Sequence, residues 1–331
     1  MWSWAGVVAA GLLNGSFAVP IKTARVWKFN HIWMVHSLLA MGLLPWVVVN
    51  LMVPGWAGIL RSVSGRGWLG LLAWGVLFGI ASLLYGVAVD LLGIALGFAI
   101  QLGLSIVLGA LLPLVWSGTF SVRSKHDAFF LGGLALMVTG VILSAQAGGK
   151  NIRTPGATGA RFRKGLAIAI LGGVLAPTLN FGIQYGVSLL GPGGSGQAGD
   201  PFPVRTYLAW AVFLSASAVV QAAYCLSRVL ANKSAAAFRS PGALRDALQV
   251  FAMSSVWISS VFIYGRSAFG LGRLGISLGW PVFIALIILA SNAWGVFLGE
   301  WKEKGPFRRM LWGSAVLVVA AFLIGQGNPG R

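Results

Sequence analysis

Acidic residues are nearly absent from this chain. Six Asp and Glu stand against 24 Lys and Arg in 331 residues, and only 9% of residues carry any charge. Soluble chains carry about 25% charged residues. With 57% hydrophobic residues and a mean hydropathy of +0.85, there is too little polar surface to cover a water-facing body. The composition places the chain among integral membrane proteins.

Other absences narrow the function. A single cysteine, Cys225, excludes an intrachain disulfide. Three histidines (His31, His36, His126) and six acids form no cluster with metal-ligand spacing, so no metal and no cofactor is expected. No G-x-S-x-G, H-E-x-x-H or P-loop occurs. "GPGGSGQAG" (191–199) lacks the Lys-Ser/Thr of a phosphate loop and reads as a connection. A membrane-embedded enzyme or sensor would need a catalytic constellation, and none is visible, so the chain reads as not an enzyme. The net charge of +18 does not imply nucleic acid, because Lys and Arg occupy short gaps between apolar runs. Placed there, they set orientation and meet anionic lipid headgroups.

Long apolar runs fill the rest. A span needs about 20 mostly apolar residues. The breaks in hydropathy give ten candidates: 2–20, 31–53, 67–89, 91–116, 128–147, 165–188, 205–230, 246–265, 274–299 and 308–327. The first lacks a positive leading region, so it reads as a retained span rather than a cleaved signal. The third and fourth nearly touch, which predicts a tight turn at Asp90. Counting each Lys and Arg at a span end with the gap it adjoins, 16 of the 24 belong to the odd-numbered gaps and 8 to the even-numbered gaps and the C-terminus. The positive-inside bias therefore puts the odd gaps in the cytoplasm and both termini outside, with the protein in the inner membrane.

One phrase occurs twice. "LGIALGFAI" (92–100) and "LGISLGWPV" (274–282) share five of nine residues, 182 positions apart. Similar flanks accompany each copy: "SLLYG" and "VFIYG" before, Gly-bearing final spans after. The fold expected is all-α: ten transmembrane helices in two five-helix halves, 1–148 and 164–331, joined by a basic cytoplasmic linker, 149–163. Five is odd, so the second half crosses the membrane inverted. Such repeats are a transporter architecture with alternating access to a midplane site. G-x-x-x-G pairs (Gly11/Gly15, Gly75/Gly79, Gly93/Gly97, Gly275/Gly279, Gly295/Gly299) predict close helix packing.

Three segments carry a family likeness. "AVPIKTARVWKFNHIWMVHSLLAMGLLPW" (18–46) presents Pro20, Lys22, Trp27, Trp33 and Leu44-Pro45-Trp46. "WGVLFGIASLLYGVAVDLLGIALGFAI" (74–100) and "GWPVFIALIILASNAWGVFLGEWK" (279–302, with Glu300-Trp301) follow. Together they resemble the bacterial L-rhamnose–proton symporter family of the drug/metabolite transporter superfamily. The chain departs at Asn30, where a Glu is expected, and at Asp90, where a basic residue is expected. The resemblance implies proton-coupled import of a deoxysugar, with sugar and proton as partners, membrane lipid around the chain, and no obligatory protein partner. An exporter or facilitator of another small metabolite on the same fold is the alternative.

A sugar site wants amides or hydroxyls beside an aromatic plate. The intramembrane candidates are Asn14, Gln101, Asn180, Gln184 and Asn292, with Tyr264 and Trp280 as aromatic partners. Each amide has a simpler reading as a bond to a neighbouring helix. Pro281, after Trp280, is expected to break the ninth span there. The copies differ most at Phe98-Ala99 against Trp280-Pro281, where the substrate is expected to break the symmetry. Candidates for proton coupling are His36, Asp90, Glu300 and Lys22, since ionisable groups near apolar spans are costly and functional by default.

Overall fold

The structure, a computed structural model, describes residues 2–20, 24–92, 94–116, 118, 122, 124–149, 159–190, 204–272, 278–299, 301 and 303–327, without the side chains of 2, 89, 90, 94–96, 98, 99, 148 and 149. The described residues form helices and turns, with no strand among them. The helices are α1 (Trp2–Ser16), α2 (Phe29–Met52), α3 (Trp56–Ser62), α4 (Gly65–Leu92), α5 (Ile94–Trp116) and α6 (Lys125–Gly149). They continue with α7 (Ala160–Leu175), α8 (Thr178–Leu190), α9 (Thr206–Ala231), α10 (Ala243–Gly270), α11 (Gly279–Phe297) and α12 (Lys304–Gln326). Helices are what an apolar chain must form in lipid, where every backbone polar group needs an internal partner.

Eight described segments are long and apolar enough to cross a membrane: α2, α4, α6, α7 with α8, α9, α10, α11 and α12. The apolar part of α5 (Ile100–Trp116) and α1, with 15 residues, are shorter. Helix ends fall within a few residues of the expected spans, with three local differences. The turn expected at Asp90 is not there, because α4 continues through Asp90 to Leu92. The expected helix break at Pro281 is absent: α11 starts at Gly279, and Pro281 sits in its first turn. There the missing N–H would have no intrahelical acceptor, so proline costs nothing. The sixth span, read as continuous, is interrupted at Ala176–Pro177.

Chain contacts divide the protein into two compact units. The first comprises residues 1–16, 81–177 and 263–331. Within it α6 lies along α12, α1 along α11, and α5 against α6 and α7. Gly15 explains the α1–α11 approach, since a Cβ there would stand 2.5 Å from both the Ala290 Cβ and the Ile287 carbonyl. Without a hydrophobic drive between helices in lipid, such backbone proximity supplies the packing energy.

The second unit comprises residues 17–80 and 178–262. Helix α9 is its axis, packed by α2 along its length and by α8. Trp210, Phe213, Leu208 and Leu214 of α9 are fully buried. Gly75 and Gly79 of α4 meet Phe213 and Ser217, so that G-x-x-x-G pair is a packing seam as expected. Gly299 differs: it adopts φ +68 just past α11, and a Cβ there would meet nothing within 4 Å, so it serves the turn that ends the helix.

Helix α2 is not uniform. Residues Ser37–Leu43 widen into a π-helix, one turn before Pro45. Proline lacks the N–H that would bond the Met41 carbonyl, and widening re-registers the ladder ahead of it. The widened turn starts immediately after His36.

Candidate functional site

Within the second unit, α2 and the residues that lead into it are fixed by tryptophans. Trp27 Nε1 donates to the Ala237 carbonyl (3.3 Å), Trp33 Nε1 to Gln221 Oε1 (2.9 Å) and Trp46 Nε1 to Ser215 Oγ (2.9 Å). Burying an indole requires an acceptor for its N–H, and each of these three has one. Between the last two lies His36, only 1% exposed. Its Nδ1 is 3.0 Å from Ser254 Oγ on α10. Its ring is within 6 Å of three others: Trp33 (5.3 Å), Trp257 (5.8 Å) and Phe17 (5.9 Å). Gln221 continues the network, donating through Nε2 to Ser217 Oγ (3.0 Å) and lying 3.1 Å from Met41 Sδ in the widened turn.

The start of α2 is anchored by a residue that the sequence did not single out. Asp246, in the first turn of α10, is fully buried. Its carboxylate accepts the backbone N–H of Arg25 (3.1 Å), Val26 (2.8 Å) and Trp27 (2.8 Å). His31 adds a contact, its Nε2 lying 2.9 Å from the Ser234 carbonyl. Around them pack Trp27, Ile32, Ala243, Val250 and Met253. An acid opening a span reads as a helix cap. That its acceptors would serve amides some 220 residues away has no sequence signal.

Two further amides lie in the second unit. Asn180 occupies the first turn of α8, directly after the Ala176–Pro177 interruption. It is 3% exposed, and its Nδ2 has no hydrogen-bond partner among the described residues. Gln184, one turn on, is exposed.

In the first unit, Trp280 and Tyr264 come together. Trp280, 5% exposed, donates Nε1–H to the Ser105 carbonyl at 3.1 Å. It lies against Gly109, where a Cβ would stand 2.6 Å from the indole. Tyr264 stacks on Phe283 (centroids 4.4 Å, 25°) and meets Trp280 edge-on (5.8 Å). Its hydroxyl is buried and has no partner among the described residues. Gln101 donates Nε2–H to the Ala81 carbonyl (3.2 Å), while its buried Oε1 has no partner among the described residues. Its amide lies flat on Gly172, where a Cβ would be 3.1 Å away. Unsatisfied buried polar atoms cost about 1–3 kcal/mol each, so each needs a reason.

The remaining candidates separate. Asn14 is buried in α1. Asn292 donates Nδ2–H to Ser314 Oγ (3.2 Å), a bond from α11 to α12. Asp90 lies on α4 with its side chain outside the described residues, as does that of Phe98. Lys22 and Glu300 lie outside the described residues altogether.

A family model described as L-rhamnose-proton symport protein (RhaT) matches residues 1–329. Curated relatives span nearly the whole chain. An L-rhamnose-proton symporter of Cronobacter sakazakii is 25% identical over 99% of this chain and 96% of its own length. Those of Escherichia coli O157:H7 and Klebsiella pneumoniae are each 23% identical over 98% of this chain and 96% of theirs. A match over residues 1–329 places the chain in the L-rhamnose-proton symport protein (RhaT) family.

Proposed function

We propose that this protein is a secondary transporter of the inner membrane that imports L-rhamnose or a related deoxysugar together with protons. The observation that carries the reading is the family match over residues 1–329, joined to a buried histidine on an apolar span. His36 is the proton carrier in this reading. Neutral, its Nδ1 shares a hydrogen bond with Ser254. Protonated, it is a cation among three aromatic rings, each at a distance where cation–π attraction operates. The adjoining π-helical turn gives α2 a ladder that can re-register as His36 changes charge.

Sugar recognition draws first on buried polar atoms that have no hydrogen-bond partner among the described residues. Gln101 Oε1 and Tyr264 OH can meet hydroxyls, and Trp280 with Phe283 supplies an apolar plate for a deoxysugar's C–H face. Asn180 and Gln184 offer amides just past a helix interruption, the kind of place where transporters bind substrate. Asn14, the buried amide of α1 in the first unit, is a further candidate. Asn292, already bonded to Ser314, serves best as a link between helices. Lys22, Asp90 and Glu300 stay as secondary proton or counter-ion candidates.

The topology proposed is ten spans, adding α1 and α5 to the eight, with two inverted halves (1–148 and 164–331), a cytoplasmic linker, both termini outside, and alternating access. Three features support it. Each compact unit draws on both halves. The unit boundaries after Ile80 and Phe262 lie 182 residues apart, the spacing of the doubled phrase. The pairing of α1 with α11 is matched by that of α7 with α5, as exchange of the halves requires. Uptake of labelled L-rhamnose into proteoliposomes, with and without an inward proton gradient, tests the function. Accumulation only with the gradient is expected. Equilibration indifferent to the gradient would mean a facilitator, and no uptake of any deoxysugar would end the reading.

A further inference from the structure

One large cleft in the first unit lies apart from the groups assigned to sugar and proton. It has a volume of about 590 Å³, within the range of ligand pockets. Leu104 and Val107 of α5, Val138 and Ile142 of α6, and Leu166 and Ile170 of α7 line it, and Gln146 is the polar member. These residues form one stripe per helix, spaced three, four or seven apart, so each helix turns a single apolar face to the cleft. From Val138 to Gln146 the cleft covers about 12 Å along α6. That is close to the depth of hydrocarbon in one leaflet, about 15 Å. It opens to the side as well, for Ile142 and Ile170 are 39% and 44% exposed.

Just beyond the cleft, the first turns of α7 are basic. On α7, Arg163 lies three residues before Leu166 and seven before Ile170, on the same face. Arg161 and Lys164 flank it, and all three cations are exposed. Gln146 stands near the end of α6, exposed, at the same end of the cleft.

We infer that this cleft is a binding site for one anionic glycerophospholipid. An acyl chain fills the apolar stripe, Gln146 donates to the ester region, and the phosphate sits among Arg161, Arg163 and Lys164. The chemistry selects this occupant. An apolar cleft at bilayer depth that opens sideways is reached by acyl chains, and a basic cluster at its mouth selects anionic over zwitterionic headgroups. A soluble phosphate would leave the apolar stripe unfilled. Helices α5 and α7 also carry Gln101 and Gly172, so the lipid braces the helices that hold one proposed sugar ligand.

The test is native mass spectrometry of the full-length protein, purified in detergent and supplied with phosphatidylglycerol or phosphatidylcholine. One phosphatidylglycerol per chain is expected to survive, preferred by about fivefold for each basic residue engaged. The Arg161→Gln/Arg163→Gln/Lys164→Gln variant is expected to lose the preference. Ile142→Trp, at an exposed position that tolerates bulk, is expected to lower retention of both lipids. A photoactivatable acyl chain is expected to label α5, α6 and α7 within the stripe. Equal retention of both lipids by the wild type, or labelling dispersed over other helices, would overturn the proposal. So would a preference unchanged in the triple variant, and monodisperse elution of each variant secures the comparison.

Discussion

The two candidate regions are built on opposite principles. Around His36 the polar groups are paired: histidine with Ser254, Trp33 with Gln221, Gln221 with Ser217, and Asp246 with three backbone amides. Around Trp280 the packing is tight, but Tyr264 OH and Gln101 Oε1 lack partners among the described residues. A buried group that must hold and release a proton needs fixed partners that stabilise both forms. A group that must recognise a sugar needs an atom left for the sugar. One region thus suits charge and the other suits hydroxyls.

Replacing His36 breaks this comparison most severely. His36→Gln is expected to abolish gradient-driven accumulation while sugar exchange between the two sides persists. Retained accumulation measured in proteoliposomes would remove histidine from the coupling. Next in size is the anchor of α2. Asp246→Ala leaves three amides without an acceptor, and charge-assisted bonds are worth about 1.5–3 kcal/mol each. A clear fall in thermal stability in detergent is expected, with Asp246→Asn intermediate. If Asp246→Ala melts like the wild type, the loop is not held by this carboxylate.

Tyr264→Phe sharpens the contrast, because fold and function should move in opposite directions. Deleting a buried hydroxyl that has no partner among the described residues is expected to leave stability unchanged or raised by about 1 kcal/mol. The KM for sugar is expected to rise several-fold. A fall in stability with unchanged KM would show that the hydroxyl serves the fold. The smallest effect is expected for Asn292→Ala, where a bond between helices is worth about 0.6 kcal/mol. Its uptake kinetics are expected to match the wild type, and a raised KM would return Asn292 to the site.

Much of the fold is readable from sequence, because length and apolarity alone define a span. The expected 205–230 and 308–327 reappear as α9 (Thr206–Ala231) and α12 (Lys304–Gln326). Proline positions were less readable. Pro281 reads as a break but begins a helix, whereas Pro177 interrupts a span that hydropathy shows as continuous. Hydropathy does not sense whether an N–H is needed at a given turn. His36 stands out as the ionisable residue within an apolar run. Its ring of aromatics depends on packing between α2 and α10, and Asp246 depends on a loop far away in the chain. The atoms of Gln101, Tyr264 and Asn180 that have no partner among the described residues are equally invisible, since a polar side chain in a span reads the same whether or not it is bonded.

The most direct measurement of the central claim is proton entry driven by sugar. Proteoliposomes carrying an internal pH dye receive L-rhamnose outside, with no initial gradient. Internal acidification is expected with the wild-type protein and none with His36→Gln, although labelled sugar still equilibrates through the variant. Sugar entry without acidification in the wild type, or undiminished acidification in the variant, would contradict it.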